Sequence, residues 1–262
     1  MGSKAGVPNR RSSRPGPFSD QGCLVTLGSV SRLDLKRPSE PSDFRDLGNR
    51  ERLRLLRAMG ADCGADIRRI YAYYPNMLYI VGGCSRSGKS LLAERIRVNH
   101  NVPWFPLDAL KMGLHLGAPS MGVHPDDDDL ETADRMWPVV KGTIENLLFD
   151  GRDYLIEGVN LRPTTIAEFI KATEEPVRAC FLGYPEILIE TKVAQVARHA
   201  GLPNDWLNRT GPDNVRRYLE ICRSLSERPR EDCGSLGIPF FDTGADFIGN
   251  LASAELALTK PN

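Results

Sequence analysis

The sequence predicts a three-layer α/β/α domain: a mostly parallel, five-stranded sheet with helices on both faces and a helical lid, preceded by a partly disordered N-terminal extension. Three observations predict it. From residue 77 onward, apolar runs of strand length alternate with amphipathic stretches of helical length, the pattern of parallel strands joined by crossover helices. The first strand and helix are joined by a loop bounded by Gly83 and Gly88. Asp108, Glu157 and Asp242 stand at the ends of strand-like runs, and right-handed crossovers put all such ends on one edge of the sheet.

Leu78 to Val81 reads as a buried strand, and Leu91, Leu92, Ile96 and Val98 mark a helix over about 89–98. A short strand follows at 103–107 and a helix at 109–116. A Gly/Pro-broken loop and the acidic run Asp126 to Asp129 lead into a longer helix over about 130–149, with a bend expected at Pro138. Tyr154 to Gly158 is the third strand. A helix over 164–172 has Thr164 or Thr165 as its cap candidate. Val177 to Leu182 is a buried strand and 186–199 a helix. The polar, arginine-rich segment 200–234 is expected to hold one amphipathic helix, over about 212–226, and to form the lid. A last strand at 238–241 and a helix at 247–258 close the domain.

Upstream, residues 1–43 are rich in Pro, Gly, Ser and Arg without sustained periodicity, which predicts disorder. Residues 44–76 read as a helical extension: an arginine-decorated amphipathic helix over 44–61 and a shorter one ending before Pro75. The domain proper is expected to span 77–262, with the upstream part an appendage.

The 262 residues carry 34 basic and 34 acidic side chains, so no global charge points to nucleic acid or anionic lipid. No apolar run reaches the ~18 residues of a membrane span, and the N-terminus lacks the apolar core of a secretory signal. Its basic, serine-rich start faintly resembles a transit peptide, but Pro8, Pro15 and Pro17 interrupt any amphipathic helix. The six cysteines show no metal or redox spacing, which fits reduced thiols in a cytoplasm. Cys84, inside the loop, is an expected oxidation-sensitive position. The four histidines show no ligand spacing.

From Gly83 the chain satisfies G-x-x-x-x-G-K-[ST] between a strand and a helix, the arrangement in which successive backbone N–H groups and a helix N-terminus close around phosphates. Gly83, Cys84, Ser85, Arg86, Ser87, Gly88, Lys89, Ser90 and Leu91 are therefore the expected nucleotide-binding residues. Lys89 is expected to reach the β- and γ-phosphates, and Ser90 to place its hydroxyl on Mg²⁺. Asp108 is read as the group that binds or deprotonates an acceptor hydroxyl, or else as a helix N-cap. Glu157, closing an apolar strand, is read as a Mg²⁺-water ligand, or else as a cap for local backbone. Asn160 and Arg162 lie where an acceptor should sit, and Arg162 is either a grip for a phosphate or carboxylate or a solvated side chain. Arg198, Arg209, Arg216, Arg217 and Arg223 cluster in sequence around the lid; of these, Arg209 and Arg216 are the candidates for stabilising transferred charge. Asp242 to Ala245 borders the adenine or caps the last helix. The run Asp126 to Asp129 lacks the spacing of a calcium loop and reads as a solvated approach to a helix.

Gly83 to Ser90, Asp108 and Leu155-Ile156-Glu157-Gly158-Val159-Asn160-Leu161-Arg162-Pro163 together resemble the small-molecule kinase branch of the P-loop NTPases, which includes adenylate, shikimate and chloramphenicol kinases and zeta toxins. The segment around Glu157 is similar to the 2-phosphoglycerate kinase family, which has a histidine where this chain has Asn160. The resemblance implies ATP, Mg²⁺ and transfer of the γ-phosphoryl group to a small hydroxylated metabolite, including one that already carries a phosphate. A zeta-toxin-like nucleotide-sugar kinase and a non-catalytic ATP-binding regulatory module are the alternatives.

Overall fold

A computed structural model describes residues 77–149, 152–201 and 205–260. The expectations for residues 1–43 and 44–76 lie outside them. In chain order the elements are β1 (Leu78–Gly83), α1 (Lys89–His100), β2 (Trp104–Pro106), α2 (Leu107–Gly117), α3 (Asp129–Phe149), β3 (Tyr154–Glu157), α4 (Pro163–Ala172), β4 (Val177–Gly183), α5 (Ile189–Ala197), α6 (Pro212–Ser224), α7 (Glu227–Leu236), β5 (Phe240–Asp242) and α8 (Phe247–Thr259). Short 3₁₀ turns stand at Pro119–Met121 and Leu207–Thr210.

The five strands form one sheet in the order β2-β3-β1-β4-β5, with every pair parallel. Alternate residues of the strands face opposite layers. Leu78, Ile80, Ile156, Ala179 and Phe181 pack with Leu107, Met136, Val140, Ile144, Ile166 and Cys233 on one side. Tyr79, Val81, Leu155, Cys180 and Leu182 pack with Leu92, Ala93, Ile96, Leu251, Ala254 and Leu258 on the other. Helices α2, α3, α4 and α7 therefore cover one face, and α1 and α8 the other. A third cluster, built on Tyr184, Ile187, Val196, Leu207, Val215, Leu219 and Cys222, joins α5 and α6 beyond the sheet edge.

The structure departs from the sequence reading in several places, beyond shifts of one or two residues at element ends such as that of β5. Strand β2 stops at Pro106, so Asp108 is the second residue of α2 rather than a strand end. Neither Thr164 nor Thr165 caps α4, which begins at Pro163; proline's fixed φ and missing N–H suit a first helical position. Helix α5 starts at Ile189 and not at 186. The segment 200–234 holds a second helix, α7, that packs on α4 and β4 and buries Cys233 in the sheet's core. Its charged, Pro/Gly-containing sequence reads as loop. However, Pro229 falls in the first turn, where no intrahelical N–H bond is lost.

β1 runs close beside β4 at its end. Gly83 has φ 129°, and a Cβ there would stand 1.9 Å from the Leu182 carbonyl oxygen. Backbone cannot yield as a side-chain tip does. We therefore expect Gly83→Ala to lower stability by ~2–4 kcal/mol, read as a fall in the urea midpoint; an unchanged midpoint would contradict this packing.

Candidate functional site

The turn from β1 into α1 is held by its carbonyls. Ser87 Oγ and Lys89 Nζ both donate to the Cys84 carbonyl at 2.8 Å. Tyr184, just past β4, donates its hydroxyl to Ser85 O at 2.9 Å. Thr243, just past β5, donates to Ser87 O at 2.9 Å. Arg86 and Gly88 take left-handed φ of 61° and 101°, and α1 starts at Lys89 with no side-chain cap. Its first-turn N–H groups have no intrahelical acceptor, and they carry the positive end of the helix dipole.

Leu155 faces α1, and two residues later Glu157 does the same. Its Oε1 accepts a hydrogen bond from Ser90 Oγ at 3.1 Å. Glu157 is only 5% exposed, and burial pushes its carboxyl up from the ordinary range, while Lys89 pulls it down. Asp108 lines the same cavity from α2, its side chain 57% exposed and 3.8 Å from Lys111 Nζ.

The cavity, of about 440 Å³, is lined by the loop residues Ser85, Arg86, Gly88, Lys89, Ser90 and Leu91, by Asp108, Glu157 and Val159, and by α5 and its neighbours through Lys192, Gln195, Arg198 and Trp206. Phe247 and Ile248 complete one wall. The loop, Asp108 and Glu157, separated by up to 74 positions in sequence, thus meet at one site.

Other expected residues are placed elsewhere. Asn160 is 3% exposed, with its amide donating to Asp129 O at 3.1 Å. Arg162 donates to Leu130 O and pairs with Asp134 at 2.9 Å, so both brace the start of α3. Arg216 is engaged with Glu190 on α5, and Arg209 is exposed on the 3₁₀ turn, outside the cavity lining. Of the arginines around the expected lid, the one that lines the cavity is Arg198. Asp242 accepts from Gly244 N at 2.7 Å and, with Thr243 to Ala245, is not part of the cavity wall; Asp246 caps α8 instead. The Cys84 thiol accepts from Ser226 Oγ at 3.0 Å, and burial pushes its pKa up. Reactivity requires thiolate, which the raised pKa disfavours, although the side chain is half-buried and not closed off.

Two residues escaped the sequence reading. Asp129, placed in a solvated run, is the first residue of α3, while Asp128 caps the helix by accepting from Leu130 N and Glu131 N. Burial raises the Asp129 carboxyl pKa, with Lys111 opposing and Asp108 adding to the rise. Lys192 is a buried cavity-lining lysine. Its signal was legible: 189, 192, 193 and 196 form one helical stripe in which only Lys192 is not aliphatic. Among the described residues, no cluster of three or more His, Cys, Asp or Glu could hold a metal ion by itself. Likewise, no helix of the described residues is long and apolar enough to cross a membrane.

The turn from β1 to α1 thus carries G-x-x-x-x-G-K-[ST] between a parallel strand and a helix N-terminus. No protein-family model matches the chain, and no curated protein matches it. Among solved structures, the chain is similar to a gluconokinase from Sinorhizobium meliloti 1021, at 18% identity over 71% of this chain and 93% of that one, with a TM-score of 0.46. A putative kinase from Chloroflexus aurantiacus j-10-fl is similar at 20% identity over 71% and 100% of the two chains, with a TM-score of 0.40. A shikimate kinase from Bacteroides thetaiotaomicron is similar at 14% identity over 71% and 98%, with a TM-score of 0.38. At such scores the chemistry rests on the site's own residues.

A buried carboxyl whose native pKa is raised destabilises the free protein while it is charged, and the penalty fades as pH falls through the raised value. Glu157→Gln should therefore raise the melting midpoint at neutral pH by roughly 2–4 °C, the shift that ~1 kcal/mol gives a domain of this size. That difference should close as the pH is lowered toward the ordinary carboxylate range. A variant that melts lower than the parent at neutral pH would contradict the assignment.

Proposed function

We propose that this chain is an ATP-dependent phosphotransferase that moves the γ-phosphoryl group to the hydroxyl of a small molecule. The observation that carries the proposal is the meeting of Ser90 and Glu157 at 3.1 Å beside Lys89, with Asp108 on the wall of the same cavity. These residue types are what phosphoryl transfer needs: cations and amides for the phosphates, oxygen ligands for Mg²⁺, and a carboxylate for the acceptor.

The residues fit a nucleotide and its metal. Loop amides and the α1 N-terminus supply anion-binding donors, and Lys89 exchanges its Cys84 carbonyl for phosphate oxygens. Ser90 Oγ and Glu157 are the oxygen donors for Mg²⁺, which when bound neutralises developing phosphate charge. Arg198 and Arg86, both on the cavity wall, add positive charge around the phosphates. Asp108 orients the acceptor hydroxyl and takes its proton as the oxygen attacks.

The acceptor's charge is a narrower question. A 2-phosphoglycerate-like or nucleotide-sugar acceptor needs a cation near Asp108. Lys111, beside Asp108, is the one at hand, because Arg162 is turned to Asp134. Catalytic carboxylates facing the loop also favour an enzyme over a purely regulatory ATP-binding module.

Purified protein with Mg²⁺-ATP and a panel of polyols, sugars, sugar acids, phosphorylated acids, nucleosides and nucleotide sugars should phosphorylate at least one class. Lys89→Ala should then cost ~10²–10³-fold in kcat. Asp108→Asn should cost ~10²–10⁴-fold in kcat with ATP affinity retained. Full activity in either variant, or no transfer to any panel member despite ATP binding, would count against the proposal.

A further inference from the structure

Helix α5 carries a lysine on its apolar stripe. Ile189, Val193 and Val196 join the cluster around Tyr184 and Leu219, and Lys192, on the same stripe, is only 1% exposed. Its Nζ lies 4.0 Å from the centroid of the Tyr184 ring and 5.7 Å from that of Phe247. Among the described residues, no carboxylate comes within ion-pair distance of it and no hydrogen bond holds it. An ammonium kept from water without an anion is strongly disfavoured, and two aromatic faces recover only part of that loss. The same side chain lines the cavity beside Lys89, Ser85, Arg86 and Gly88. Two lysines from different helices thus converge on one cavity, and a polyanion satisfies both.

We propose that Lys192 is a second fixed cation of the phosphate site, binding an oxygen of the nucleotide's polyphosphate from α5 as Lys89 does from α1. This rests on the nucleotide reading given above. Tyr184 links the two: its ring carries Lys192 and its hydroxyl holds the Ser85 carbonyl, so a phosphate drawn to Lys192 also meets a braced loop.

The position carries a pH signature. Burial pushes Lys192 down to about 8. The groups facing it are Cys84 of the loop, Cys222 of α6, Asp242 of β5 and Lys89 of α1, with the ring of Tyr184, beyond β4, beneath it. Burial pushes the two thiols and the phenol up, so they stay neutral through this range. A bound phosphate raises the lysine's pKa, so affinity is full below pH ~8 and falls above it by up to about tenfold per unit.

The test is calorimetric binding of MgATP and of adenosine to the full chain and to Lys192→Met and Lys192→Arg. Lys192→Met should weaken MgATP by ~10–100-fold, as loss of a charged hydrogen bond does. It should leave adenosine unchanged and melt no lower than the parent, because it removes an uncompensated buried charge. Lys192→Arg should keep MgATP affinity and lose the decline above pH 8. Parental MgATP affinity in Lys192→Met, or a lower melting point with unchanged affinity, overturns the proposal. Loss of MgATP binding in Lys89→Ala alone would overturn it while leaving the nucleotide reading intact; MgATP binding indifferent to both lysines would overturn both.

Discussion

Two lysines held at the end of a sheet, with no carboxylate of the described residues paired to either, are the constraint on which the site depends. Lys89 is folded onto a loop carbonyl at 2.8 Å, and Lys192 rests on aromatic rings. A carbonyl and a π-face are weak partners for a desolvated ammonium compared with an anion.

The fold's contribution is to aim that charge. With β1 central, the loop after it lies between the ends of β3 and β4. β3 contributes Glu157, the residue after β4 contributes Tyr184, and the residue after β5 contributes Thr243. The hydroxyls of Tyr184 and Thr243 hold loop carbonyls, at Ser85 and Ser87, so the turn's shape is imposed by strands distant in sequence. Glu157 is kept from solvent against Ser90, which raises the cost of its charge and makes it ready for a cation. This is unfavourable electrostatics that a bound cation, as in the proposed phosphotransfer, would relieve.

How much of this was legible from the residues alone varied with the range of the interaction. The five strands, the loop and the helices other than α7 follow from local apolar period and a short motif, and Glu157 stands at the end of β3 as that pattern predicts. Asp108 reads as the end of a strand over 103–107 but is the second residue of α2, because where a strand gives way to a helix depends on Pro106 and Leu107 rather than on any periodic signal. Arginines were weighted by number rather than by position. Arg216 meets Glu190 across two helices, and Arg162 meets Asp134, pairings that no local pattern encodes. Lys192 was overlooked although its helical phase marked it, because a single lysine in a helix is usually solvated. Asp129 was hidden inside a run of four aspartates whose members do different work: Asp127 pairs with Arg135, Asp128 caps α3, and Asp129 turns toward Lys111 and Asn160.

The most direct test of the central claim is an affinity ladder of adenosine, AMP, ADP and ATP, each with Mg²⁺, measured by calorimetry at neutral pH. The account predicts that affinity rises steeply with phosphate number, with ATP at least ~10²-fold tighter than adenosine, the gain expected from two or more charged hydrogen bonds. Equal affinity for adenosine and ATP would show that the cavity does not recognise phosphate and would contradict the account.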